Sequence, residues 1–131
     1  MDYQEYVLAA GRASQLVEQE EYQGAVAILE ELLTSDISDI DKAMMCLNMA
    51  LVCDKLGHVE QALAWYDEGV YYEQEHGRHY VAESKAAYLA EKGRYGESLD
   101  HYRDLLRHPS LMEADKARIA ENIQALEKQG S

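Results

Sequence analysis

The sequence predicts an all-α fold built from repeated helix pairs, and three observations carry that expectation. Helix breakers are scarce: one Pro (Pro109) and eight Gly stand among 131 residues that are rich in Ala, Leu, Glu and Gln, a composition that suits helices joined by short turns. Apolar residues recur at intervals of three and four, the period of one helix face. Three segments also align with one another: EEYQGAVAILEELL from Glu20, GHVEQALAWYDEGV from Gly57 and GRYGESLDHYRDLL from Gly93. Tyr22, Val59 and Tyr95 share one slot of that alignment, 37 and 36 residues apart, and self-similarity at such a period marks a stack of supersecondary units.

Each aligned segment follows another helical stretch, so a unit reads as helix, tight turn, helix. Gly57 and Gly93 sit where the first helix must end, and glycine tolerates the left-handed conformation that closes helix C-termini. The first unit has Glu20 in that place. Longer breaks fall at Thr34–Asp39, His76–Arg78 and His108–Ser110. Ser38, Asp39 and Ser110 are candidate caps for the helices that follow, since a side-chain oxygen accepts the unpaired amides of a first turn. After Pro109, Leu111, Ala114, Ile119, Ile123 and Leu126 keep a helical rhythm, which predicts a seventh helix closing the end of the stack. The expected organisation is one domain over 1–131, with repeats at 3–37, 40–75 and 78–109 and a capping helix at 111–128. A chain of this size buries enough surface to fold without metal or disulfide staples. Ten Tyr, Trp65 and no Phe supply the large side chains, amphipathic rings that suit partly wet packing.

Charge narrows the function classes. Twelve Lys and Arg against 25 Asp and Glu leave a formal charge of −13, a field that repels phosphate backbones and anionic lipid. Nucleic acid and membrane are therefore unexpected partners, and a protein or peptide partner is favoured. Solubility is the plainer use of such charge. Cys46 and Cys53 lie seven residues apart on one helical pattern, about 10 Å along the axis, too far for a disulfide. They read as buried thiols in a reducing compartment. The N-terminal residues show no apolar signal core, and no window approaches the length of a membrane span, so a cytoplasmic location is expected.

The helix pair, recurring with a small residue and an aromatic four apart in its second helix, resembles the tetratricopeptide repeat. Cys46, Met49, Ala50 and Cys53 fill the first-helix slots of the second unit, and Ala62 and Tyr66 those of its second helix. The first unit offers Ala9, Arg12, Ala13 and Leu16, then Ala25 and Leu29. The third offers Ala82, Lys85, Ala86 and Leu89, then Ser98 and Tyr102. Arg12 and Lys85 depart from the usual Leu, and the closing Pro of each unit is missing except near Pro109. The small residues Ala13, Ala50 and Ala86 keep the pattern because the paired helices cross closely there. The resemblance covers roughly residues 3 to 128 and implies a right-handed superhelical stack of about seven helices, with a concave face lined by the first helix of each pair and used to bind peptides or helices.

On that resemblance the groove carries Val7, Ala10, Ser14 and Val17, then Met44, Leu47, Asn48, Leu51, Asp54 and Lys55, then Tyr80, Glu83, Ala87 and Glu91. The set is mostly apolar, as an interaction surface is, and an amphipathic helix or extended apolar peptide is its expected ligand. Two alternatives stay open: the set is buried by self-association, possible as a homodimer, or it is plain core. A subclass of these repeats grips C-terminal carboxylates with Lys, Asn and Arg. Here the matching slots hold Ala10, Ser14, Asn48, Tyr80 and Ser84, so only Asn48 remains, as a hydrogen-bonding anchor. In size and acidity the chain also resembles small three-repeat chaperones of bacterial secretion systems, which cradle apolar segments of their cargo.

Catalytic chemistry finds little footing. His76-x-x-His79 flanks Gly77 in an expected turn and has no third ligand by spacing. Asp36, Asp39 and Asp41 alternate without the glycine or the closing Glu of a calcium loop, and capping accounts for them. No phosphate loop, nucleophile elbow or HExxH stretch occurs. The expectation is a binding module or adaptor, not an enzyme, with no metal or cofactor.

Overall fold

The computed structural model describes residues 1–129; Gly130 and Ser131, which the single-domain expectation includes, lie outside the described residues. Seven helices and no strand are found among the described residues: α1 (Tyr3–Glu18), α2 (Tyr22–Leu33), α3 (Asp39–Lys55), α4 (Val59–Gln74), α5 (Tyr80–Glu91), α6 (Tyr95–Leu106) and α7 (Glu113–Gln129). The three aligned residues Tyr22, Val59 and Tyr95 each open the second helix of a pair. No helix among the described residues is long and apolar enough to cross a membrane.

The turn inside each pair is one structure repeated three times. Glu21, His58 and Arg94 donate their backbone N–H groups to the carbonyls of Leu16, Cys53 and Leu89, each at 2.8 Å. Glu20, Gly57 and Gly93, one position earlier, donate to Val17, Asp54 and Ala90 at 2.9–3.0 Å. This is the Schellman closure, in which two otherwise unpaired carbonyls of a helix end are satisfied by a residue in left-handed conformation and its successor. The φ angles are 62° at Glu20, 81° at Gly57 and 78° at Gly93. Glu20 thus adopts the glycine conformation despite carrying a Cβ.

Each pair buries a small residue on both of its helices at one shared register. Ala13 and Ala25, Ala50 and Ala62, and Ala86 and Ser98 each lie twelve positions apart and are 0–2 % exposed. The third pair records how near the backbones come: the Ser98 hydroxyl donates to the Ala86 carbonyl across the hairpin at 2.6 Å. Leu29, Tyr66 and Tyr102, one turn beyond Ala25, Ala62 and Ser98, are 0–4 % exposed.

The helices gather into two compact units, one over Met1–Tyr72 and one from Glu73 onward. In the first, α1 packs on α2 and α2 on α3. Its core joins Ala13, Leu29, Leu32, Met45, Met49 and Val52, with Trp65 of α4 leaning against it. Ser38 caps α3, accepting from the Asp41 amide at 3.1 Å while its hydroxyl donates to the Asp41 carboxylate at 2.9 Å. Asp39 is instead the first residue of α3, and Asp36 pairs with the amino group of Met1.

In the second unit α5 packs on α6 and α6 on α7, around Ala86, Tyr102, Leu105, Leu111, Ile119, Ile123 and Leu126. The last helix departs from its expected start at 111 and its cap at Ser110. Leu111 is drawn into the core at 6 % exposure, the Ser110 hydroxyl is engaged by His79, and α7 begins only at Glu113. Ala114, expected on the apolar stripe, is exposed.

A non-glycine residue in the left-handed region costs about 1–2 kcal/mol, so Glu20→Gly should raise stability by about 1 kcal/mol in chemical denaturation. Gly93→Ala should lower it by about the same amount, since an added Cβ meets nothing within 4 Å and only backbone strain remains. A Glu20→Gly variant no more stable than the wild type would show that the first turn carries no strain.

Candidate functional site

Residues of α1 and α3, the first helices of the first two pairs, face one another across a trough of about 220 Å³ in the first unit. Its lining includes the buried Ala13 and Leu29, with Ser14, Val17 and Glu18 from α1 and Asn48 and Leu51 from α3. Positions 14, 17 and 18, like 48 and 51, recur at helical spacings of three and four, which puts each group on one face of its helix. Leu51 is 47 % exposed on the wall. The trough is thus an apolar slot with one hydroxyl, one amide and one carboxylate, able to take an apolar side chain and to hydrogen-bond what is attached to it.

Of the expected groove residues, Ser14, Val17, Asn48 and Leu51 meet in this trough. Val7 continues the same face of α1 toward its N-terminus, half exposed. Ala10 and Met44 are half-buried and lean on the core of the first unit, and Leu47 is half-buried on α3. Tyr80 and Glu83 line a different cleft, in the second unit, of about 390 Å³. Ala87 is exposed on α5 one turn beyond Glu83.

In the cleft of the second unit several polar groups pair with one another. Arg118 of α7 donates from Nε and Nη2 to the Glu83 carboxylate at 2.8 and 2.6 Å, and from Nη2 to Asp115 at 2.7 Å. These hydrogen bonds, that to Glu83 first, hold the guanidinium charged beyond its ordinary range. His79 shares a hydrogen bond of 2.7 Å between Nε2 and the Ser110 hydroxyl, and its ring lies 4.6 Å from that of His108. Burial, with His108 beside it, lowers the pKa of His79. The expected turn around Gly77 does form, with Gly77 at φ 67°, and no cluster of three or more metal-ligating side chains occurs among the described residues.

What orients α5, and with it Tyr80 and Glu83, is a residue that sequence reasoning missed. Glu73, in the last turn of α4, is 1 % exposed. Its carboxylate accepts from the Val81 amide at 3.0 Å and from the Ala82 amide at 3.1 Å. The position before α5, His79, makes no side-chain cap, so Glu73 satisfies the first turn from eight residues upstream. Burial raises the pKa of its carboxyl, while the amides of Val81, Ala82 and Tyr80 pull it back. Cap motifs are read within three residues of a helix start, and a cap delivered by the preceding helix leaves no such signal.

Both cysteines are free and buried. Burial pushes the Cys46 thiol up to about 12, with Glu68 adding to the effect. A thiol kept protonated is a poor nucleophile and a poor metal ligand. Cys46 borders a third hollow of about 480 Å³ that includes Leu33, Trp65, Glu68 and Tyr72, where the Lys42 ammonium lies 5.7 Å from the centre of the Tyr72 ring.

A family model described as a domain of unknown function (DUF6340) matches residues 11–99. The matched stretch contains every residue lining the trough of the first unit, all three Schellman turns and all three small-residue crossings. Ser110, Asp115 and Arg118 of the second cleft lie beyond it. No curated protein matches the chain.

Glu73→Ala leaves two amides of α5 without their charged acceptor and should cost about 2 kcal/mol in chemical denaturation; a loss under about 0.5 kcal/mol would mean that the cap contributes little. The pH dependence follows from His79, whose folded pKa lies below the ordinary 6.5. Well above 6.5 the ring is neutral in both states. As pH falls, the unfolded chain takes the proton first, and stability declines until the folded value is passed. Between about pH 7.5 and about pH 5 the melting temperature of wild type should therefore fall further than that of His79→Gln, and equal falls would remove His79 from the titration.

Proposed function

The chain belongs to this DUF6340 family, whose description assigns no activity, and from its own residues we propose that it is a binding module that seats an apolar or amphipathic segment of another protein in the trough between α1 and α3. One observation carries the reading: the wall of an otherwise apolar slot presents Leu51 at 47 % exposure. A leucine left half in water costs solvation that a docking side chain would recover, at about 25 cal/mol for each Å² covered. Ser14 and Asn48 add polar groups that fix the position of a bound backbone without demanding a particular side chain.

Three hairpins that share one Schellman turn and one small-residue crossing support a tetratricopeptide-like architecture. The formal charge of −13 and two protonated, buried thiols suit a cytoplasmic protein with a protein partner.

Selection from an immobilised peptide library should show the wild type retaining sequences with apolar residues at helical spacing. Leu51→Glu places a charge in the slot and should weaken those interactions at least tenfold, about 1.4 kcal/mol, with the circular dichroism spectrum unchanged. A selected set that the Leu51→Glu variant binds equally well would exclude the trough as the site.

A further inference from the structure

The acidity of this protein is not evenly spread. Residues 1–72 hold fourteen Asp and Glu against three Lys and Arg, a net of −11, whereas residues 73–131 hold eleven against nine, a net of −2. In the second unit the cations meet carboxylates close at hand: Arg118 with Glu83 and Asp115, Arg94 with Glu97, Arg107 with Asp104. Three cationic side chains in the first unit, Arg12, Lys42 and Lys55, cannot neutralise fourteen anions.

Exposed apolar surface collects in the same place. Tyr3 and Val7 are 68 % and 49 % exposed, and with Ala10, Ser14 and Val17 they follow one another at intervals of four, three, four and three along α1. That is the seam spacing by which one helix docks on another. The stripe runs into the trough, where Glu18 stands beside Val17 and Leu51. Its fifteen positions, Tyr3 to Val17, span about 21 Å, four turns of a partner helix.

We propose that the segment seated along this stripe and trough is a basic amphipathic helix of a partner protein, its apolar face on Val7, Val17 and Leu51 and its Lys and Arg side chains toward the carboxylates of the first unit. The inference rests on the trough being a peptide site and adds the charge of the occupant. A field of this sign raises the encounter rate of a cationic ligand and penalises an anionic one. A second copy meets the opposite condition, because its own first unit would bring another −11 to the contact.

The test uses the full chain and fluorescently labelled synthetic helices of about 14 residues: Leu/Lys, Leu/Glu and Leu/Gln peptides with the same apolar face, and a Lys/Ser peptide with the charge but no apolar face. In anisotropy titrations the Leu/Lys peptide should bind, weakening more than tenfold from about 50 mM to about 500 mM salt. The Leu/Glu peptide should not bind, and the Leu/Gln and Lys/Ser peptides should bind at least tenfold more weakly. Leu51→Ser, which keeps the protein's charge, should weaken the Leu/Lys peptide at least tenfold. Leu/Gln or Leu/Glu binding as tightly as Leu/Lys would overturn the charge of the occupant and leave the peptide site standing. Binding of no peptide, or Lys/Ser binding equal to Leu/Lys with no effect of Leu51→Ser, would overturn the peptide site itself. A dimer in light scattering that the Leu/Lys peptide does not dissociate would make the second copy the occupant.

Discussion

The third hairpin of this protein depends on α5 and α6 touching where neither carries more than a methyl or a hydroxyl group, and the first two hairpins bury small residues at the same register. At Ala13/Ala25, Ala50/Ala62 and Ala86/Ser98 the side chains are 0–2 % exposed, and the Ser98–Ala86 hydrogen bond of 2.6 Å shows one helix within reach of the other's backbone. Helices that approach this closely pack their larger neighbours beside the contact and not between the axes. Leu29, Tyr66 and Tyr102, one turn on, are buried. The Schellman turn, seven residues after the first small residue of each pair, keeps the register in which the two small residues meet. Its identical hydrogen bonds in three settings explain why Glu20 accepts a conformation that suits glycine.

A different constraint acts at α5. That helix has no side-chain cap at its own N-terminus, and its first amides depend on Glu73 from the end of α4. A carboxylate buried to 1 % exposure is costly to desolvate, and hydrogen bonds from two amides at a helix N-terminus offset that cost. α5 in turn carries Glu83, which with Asp115 holds Arg118. Arg118, Glu83 and Asp115 in the cleft of the second unit therefore answer one another, whereas the trough of the first unit pairs an apolar slot with one carboxylate, Glu18, in a unit of net charge −11. The two concavities differ in the ligand chemistry they favour.

The residues alone determined much of this. Periodicity and breaker placement located all seven helices, because an amphipathic stripe of period 3.6 and a glycine in a left-handed turn are local properties written in neighbouring residues. The slot shared by Tyr22, Val59 and Tyr95 marked three helix starts for the same reason, and burial of Cys46 and Cys53 followed from their face. Tertiary structure decided whatever depended on residues far apart in the chain. It brought Ser14, Asn48 and Leu51 into one trough while giving Tyr80 and Glu83 to another cleft, and it took Ser110 from the expected cap of α7 to His79, 31 residues away. It also made Glu73 the cap of α5. Those outcomes rest on distances across packed helices, and periodicity along one helix specifies a face without specifying what that face will meet.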